Sequence, residues 1–169
     1  MDFVSPVEHF KTQPRKRIGA VVLIFKEKSL LIVKPSYNPR WLLPGGGVGD
    51  NESPRTGVTR EIKEELNVTL VHLEFIGVDY MPAQGEKNES LQFIFYGGEL
   101  DESETPIQVD GKEITEYKWV DIETAMELLG VGRSLAKRLP ACIAAVKSGR
   151  PLYLENGEWW EKPHLQWNG

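Results

Sequence analysis

Two short aliphatic runs open the patterned part of the chain. Residues 18–25 and 30–33 are rich in β-branched and aliphatic side chains and flank the charged triplet Lys26, Glu27 and Lys28, which predicts a hairpin. A Pro- and Gly-rich passage follows over residues 35–49. Ser53 and Pro54 then mark a helix start, with the serine as N-cap and the proline at the first helical position, where its missing N–H costs nothing. Val58, Ile62 and Leu66 recur at i, i+4 and i+8 and give this helix one buried stripe. Asn67 suits a left-handed terminus. Strands are predicted over 69–78, 91–96 and 114–120, with loops at 81–89 and 100–111. The acids of the second loop, Asp101, Glu102 and Glu104, read as a solvated face.

Asp121 caps a short helix over 122–129, and 133–148 reads as a longer helix, bent or interrupted near Pro140 and ended by Gly149. Residues 152–155 and 158–161 flank Asn156-Gly157, a dipeptide suited to a type I′ turn, and so predict a second hairpin. Strands and helices interleave without regular βαβ alternation, which predicts an α/β (α+β) fold, a mixed β-sheet sandwiched between helices. The expected organisation is a loose arm over 1–15, one domain over 16–148, and a carboxyl-terminal hairpin and tail over 149–169. Tyr153, Trp159, Trp160 and Trp167 make that end aromatic. Packing on the domain is the plain reading of it, and a homodimer contact or a lid over substrate is the sharper one.

At 169 residues the chain is long enough for one well-formed core and short for two. Its net charge of −5 and the brevity of its one basic cluster, Arg15 to Arg17, exclude a surface for polymeric nucleic acid, which needs many clustered cations. The longest apolar run, residues 20–25, is far short of the roughly 20 residues that span a bilayer. No secretory signal is recognisable, so no membrane association and a cytoplasmic location are expected. Cys142, the single cysteine, sits in a helical pattern of small and apolar residues and is expected in the core.

The informative stretch is 45–68, GGGVGDNESPRTGVTREIKEELNV. Glu61, Glu64 and Glu65 stand at i, i+3 and i+4 on one side of the helix, where like charges repel unless something positive joins them. A solvated acidic face, eased by Arg60 and Lys63, is the plain reading. Against it stand Gly45, Gly46 and Gly47 immediately upstream, which let backbone approach closely, and a fourth carboxylate, Glu52. Carboxylate and carbonyl oxygens in such a set suit a hard divalent cation.

This stretch resembles the Nudix box, G-x5-E-x7-R-E-U-x-E-E-x-G-U with U aliphatic. Gly46, Glu52, Arg60, Glu61, Ile62, Glu64, Glu65 and Val68 fall on its fixed positions over residues 46–68, and the one departure is Asn67 in place of glycine. The resemblance implies a Nudix-type α/β/α sandwich and a magnesium-dependent pyrophosphohydrolase, with manganese able to substitute. It implies Glu61, Glu64 and Glu65 as metal ligands, aided by a backbone carbonyl at Gly45 and by Glu52 as a further, often water-mediated, ligand. Arg60 corresponds to the family arginine that holds the carboxylates in place, a role its planar fork suits. The implied reaction is attack of water on phosphorus in a nucleoside diphosphate linked to another moiety: a nucleoside triphosphate, ADP-ribose or a nucleotide sugar. The general base varies within the family, and Glu64, Glu113 and Glu116 are its candidates here. A nucleotide-sensing module of the same fold, without turnover, is the alternative.

For substrate contacts, Gly46 belongs to the glycine turn, and Tyr37, Arg40 and Trp41 flank it with ring faces and charge, Trp41 serving equally well as core. Arg17 can reach a nucleoside from the first strand. His72 and His164 have no second ligand nearby and read as satisfied or solvated.

Overall fold

In a computed structural model of the chain, residues 6–160 are described. The elements run α1 (Pro6–Thr12), β1 (Arg17–Lys26), β2 (Ser29–Pro35), β3 (Gly45–Gly47), α2 (Pro54–Leu66), β4 (Glu74–Met81), β5 (Ser90–Glu99), β6 (Ile114–Val120), α3 (Ile122–Gly130), α4 (Ser134–Lys137), α5 (Leu139–Ser148), β7 (Leu152–Glu155) and β8 (Glu158–Trp159). The strands form one mixed sheet in the order β6-β2-β1-β5-β4-β7-β8, with β3 paired to β1. The β1–β5 and β4–β7 ladders are parallel and the others antiparallel.

Alternation along β1 divides the core. Ala20, Val22 and Ile24 face α2 with Val58, Ile62 and Leu66, while Leu23 faces the other way with Leu129, Leu139 and Cys142 of α3 and α5. The result is the expected sandwich, with α2 on one face of the sheet and α3 to α5 on the other. Cys142 is fully buried, and desolvation pushes its thiol up to about 12. Among the described residues no helix is long and apolar enough to cross a membrane.

Two expectations need correction. Residues 6–12 of the supposed loose arm form a short helix whose described side chains are exposed. The strand expected from 69 begins only at Glu74: Leu70 and Leu73 pack under the sheet, while Val71 is fully exposed and has no ladder partner. The hairpin expected near the carboxyl end forms at 152–159 and packs on the domain by extending the sheet beyond β4. Leu152 and Leu154 enter the core, whereas Tyr153, Trp159 and Trp160 remain about half exposed. His164, Trp167 and the rest of the tail from 161 lie outside the described residues. His72 stands 3.6 Å from Glu74 and edge-on to Tyr96, as a satisfied histidine would.

Candidate active site

The helix α2 begins as its sequence dictates. Ser53 is extended, and its Oγ accepts the Thr56 N–H at 3.1 Å. Asn67 closes it in the left-handed region (φ 56°) and donates its N–H to the Lys63 carbonyl, so asparagine does here what glycine does in the box pattern. The buried stripe includes Glu65, which is 6 % exposed. A carboxyl group in that position follows from its neighbours at i−3, Ile62, and i+1, Leu66, both fully buried.

Glu61 and Glu65, one turn apart, face the glycine strand. The Gly45 N–H donates to Glu65 Oε2 at 3.4 Å, and a Cβ on Gly46 would lie 2.5 Å from the Glu61 carboxyl carbon. Glu113 joins them from across the chain, so that oxygens of Glu61, Glu65 and Glu113 lie within 4.8 Å of one another. Its backbone is held from two sides: Asp110 accepts the N–H groups of Glu113 and Ile114 at 3.0 and 2.8 Å, and the Glu113 carbonyl accepts the Ser36 N–H at 2.8 Å. Asp110 in turn is tied to α2 by its own N–H, which donates to the Glu65 carbonyl. No sequence motif marks Asp110; only the short spacing Asp-x-x-Glu before a strand hints at an Asx-type turn.

Arg60 sits between the remaining acids. Its Nε and Nη2 donate to the two Glu52 oxygens at 2.9 and 3.0 Å, and its Nη1 donates to Glu61 Oε1 and Glu64 Oε2, each at 3.0 Å. Nη2 also donates to the Gly47 carbonyl at 3.1 Å, which fastens the helix to β3. The bidentate Arg60 bond, helped by the Gly49 N–H, pulls the Glu52 carboxyl down to about 2 and keeps it ionised. Glu65 goes the other way: burial first, then the charges of Glu61, Glu113 and Asp110, push it up to about 8. Desolvation, then the Glu65, Glu113 and Glu61 charges, also raises the Tyr37 phenol, whose exposed ring borders the cluster.

The structure thus brings together Glu61, Glu65, Glu113, Gly45 and Gly46, and sets other expected residues apart. Glu52 has both oxygens engaged by Arg60, with Oε2 also accepting the Gly49 N–H at 2.8 Å, and lies outside the three-carboxylate cluster. Glu64 diverges from Glu61 by its position on the helix; it is held through one oxygen and its side chain is 61 % exposed, outside the three-carboxylate cluster. Trp41 is 8 % exposed in the core on the α3–α5 face, covered by the ammonium groups of Lys118 and Lys34, which corrects its expected place as a substrate contact. Arg40 is exposed beside Asn38, and Glu116 is exposed next to Tyr37 along a shallow groove.

Three neighbouring carboxylates, only Glu61 among them bonded to a guanidinium and Glu65 buried and pushed toward neutrality, are a donor set that fits a hard divalent ion. The NUDIX domain profile matches residues 15–141. The chain belongs to the Nudix family. It is 34 % identical over 103 residues to a putative 8-oxo-dGTP diphosphatase of Bacillus subtilis (strain 168), covering 60 % of this chain and 64 % of that one. It is 30 % identical over 105 residues to the mouse diphosphoinositol polyphosphate phosphohydrolase 3-alpha, covering 62 % and 61 %. A MutT protein of Methanosarcina mazei Go1 superposes with a TM-score of 0.57 at 28 % identity, over 68 % of this chain and 85 % of the other. This Nudix chain therefore spans less than two thirds of the length of the two sequence relatives.

Proposed function

We propose that this Nudix protein is a pyrophosphohydrolase that uses Mg²⁺, with Mn²⁺ able to replace it, to cleave a phosphoanhydride bond of a nucleoside diphosphate linked to another moiety. The observation that carries the reading is the cluster of Glu61, Glu65 and Glu113 against the glycine strand. Glu61, Glu65 and Glu113 would hold the cation, and a divalent ion bound there supplies charge neutralisation at phosphate oxygens and a more acidic water. Arg60 fixes the direction of Glu61 and Glu64 and joins the helix to β3. Glu64 is the residue we assign to accepting a proton from the attacking water: Oε2 is anchored by Arg60, and Oε1 has no partner among the described residues. The glycine strand lets the Glu61 carboxyl lie against its backbone, since a Cβ at Gly46 would stand 2.5 Å from that group.

The relatives support the class and diverge on the substrate, for their names cover an 8-oxo-dGTP diphosphatase, an RNA pyrophosphohydrolase and a diphosphoinositol polyphosphate phosphohydrolase. A panel of nucleoside triphosphates, dinucleoside polyphosphates, ADP-ribose and nucleotide sugars with Mg²⁺, products identified by mass, decides both substrate and bond. Turnover that falls by several orders of magnitude in Glu64→Gln and Glu65→Gln, with the fold preserved, is the expected result. Tight nucleotide binding with no product from any member of the panel would replace the enzyme by a sensing module.

A further inference from the structure

The carboxylate cluster lies on the α2 side of the glycine strand, and a second depression opens on the other side of the sheet. Its volume is about 490 Å³. It is contiguous with the glycine strand through the backbone: Leu42, three residues before Gly45, lines it, and so do Arg17 and Gln92 at the end of the β1–β5 ladder, where Gly19 pairs with both Gln92 and Gly47.

Its wall is cationic. Arg17, Lys87, Arg133 and Arg138 line it, and the described lining includes no carboxylate and no aromatic ring. Arg17, Lys87 and Arg133 form no ion pair among the described residues. The charge of Arg40 also bears on Arg133. Arg138 is different: it is 3 % exposed, and its Nε lies 3.3 Å from Asp79 Oδ2 behind the wall. The pair lacks hydrogen-bond geometry, so Arg138 Nη1 and Asp79 Oδ2 are both buried without a hydrogen-bond partner. Arg138 thus stands behind Arg17, Lys87 and Arg133, its charge offset only by Asp79, and those three cations are the ones that bear on an anionic oxygen in the cavity. A nucleobase is the poorer fit, because the wall offers it no ring to stack on and three uncompensated positive charges.

We propose that this cavity binds a phosphoryl group additional to the anhydride that is cleaved, so that the preferred substrates carry a further phosphate on the linked moiety. The word substrate rests on the hydrolase reading above; the anion site does not.

The test is calorimetric titration of inorganic tripolyphosphate into the full chain in EDTA, where the carboxylate cluster repels the probe, with adenosine titrated in parallel. Saturable 1:1 binding of tripolyphosphate that weakens with added NaCl is expected, together with weaker or undetectable adenosine binding. Lys87→Gln and Arg133→Gln should each loosen tripolyphosphate roughly tenfold, the scale of a lost charge-assisted contact. Lys87 is exposed and hydrogen-bonds to no other side chain among the described residues, so its variant keeps the test open if Arg133→Gln folds poorly. No saturable binding, unchanged affinity in folded Lys87→Gln, or adenosine binding tighter than tripolyphosphate would each overturn the assignment. Anion binding without turnover on any substrate would defeat the hydrolase reading and leave this one standing.

Discussion

Three consecutive glycines offer a graded perturbation, because alanine meets a different obstacle at each. At Gly45 the backbone has φ +127°, a region nearly closed to side chains, and a Cβ would stand 2.8 Å from the Val21 Cα and closer still to the Ala20 carbonyl oxygen. Neither neighbour is a flexible side chain; both belong to β1, at the centre of the sheet. The strained backbone costs about 1–3 kcal/mol and the forced overpacking about as much again. Gly45→Ala should therefore lose about 2–6 kcal/mol, a large part of a domain's stability, and melt roughly 5–20 °C lower.

At Gly46 the φ is ordinary and the obstacle is the Glu61 carboxyl, the mobile end of a side chain. It can swing aside at little cost in stability, but it then leaves Glu65 and Glu113. Gly46→Ala should melt within about 3 °C of the native chain while turnover falls about 100-fold, the scale of a small misplacement at a reacting centre. Gly47→Ala meets nothing within 4 Å and should change neither property much. Differential scanning calorimetry on the metal-free proteins and steady-state turnover on the best panel substrate give the two readouts. Equal melting losses at Gly45 and Gly46, or full turnover in Gly46→Ala, would refute this account of how the strand shapes the site.

Other expectations concern charge. Because the folded Glu65 carboxyl titrates near 8 against 4.5 for the free group, the unfolded chain releases that proton first as pH rises. The metal-free protein should lose on the order of 4 kcal/mol between about pH 4.5 and pH 8, and Glu65→Gln should flatten the dependence; chemical denaturation at several pH values in EDTA measures it. Added Mg²⁺ should raise the melting temperature of the native chain at pH 8 in proportion to the logarithm of its concentration, and fail to do so in Glu61→Gln/Glu65→Gln. Arg60→Lys should keep the charge but lose the forked bond to Glu52, lowering turnover at least tenfold with melting changed by only a few degrees. Arg138→Met should destabilise by about 3–5 kcal/mol by leaving Asp79 buried and unpaired, and Asp79→Leu added to it should recover much of the loss.

The parts of this arrangement that were legible in advance are those whose cause is local. The whole of α2 could be read from Ser53-Pro54, the Val58-Ile62-Leu66 stripe and Asn67, because caps and helical periodicity act within a few residues. The hairpin of β1 and β2 and the strand β6 were legible for the same reason. What escaped depends on pairings distant in sequence. Nothing near residue 17 announces that β1 runs parallel to β5, and that pairing places Arg17 at the cationic cavity. Glu113 could be named as a candidate, yet only Asp110, anchored on the far end of α2, and the Ser36 N–H bring it to Glu61 and Glu65. Glu52, conversely, stands at the right spacing for a ligand, and only the path of the Arg60 side chain reveals that its oxygens are already engaged. Trp41 could not be assigned between core and substrate because an aromatic ring suits both, and the decision lay with Lys34 and Lys118.

The distribution of charge around α2 explains why so much structure is devoted to holding acids together. Five carboxylates, those of Glu52, Glu61, Glu64, Glu65 and Glu113, share the single guanidinium of Arg60, and its bonds go to Glu52, Glu61 and Glu64. The two acids it does not reach, Glu65 and Glu113, are those brought against Glu61, so the uncompensated charge is concentrated at one place beside the glycine strand rather than spread along the helix. Left alone, that concentration opposes folding, and the proton that Glu65 retains up to about pH 8 partly relieves it. A divalent cation would relieve it more completely, and Asp110, Ser36 and Arg60 already hold the backbone that carries the proposed ligands. The same local excess that weakens the metal-free fold is then the source of cation affinity, which is why Glu65→Gln should raise the stability of the metal-free protein at pH 8 while lowering its affinity for the cation.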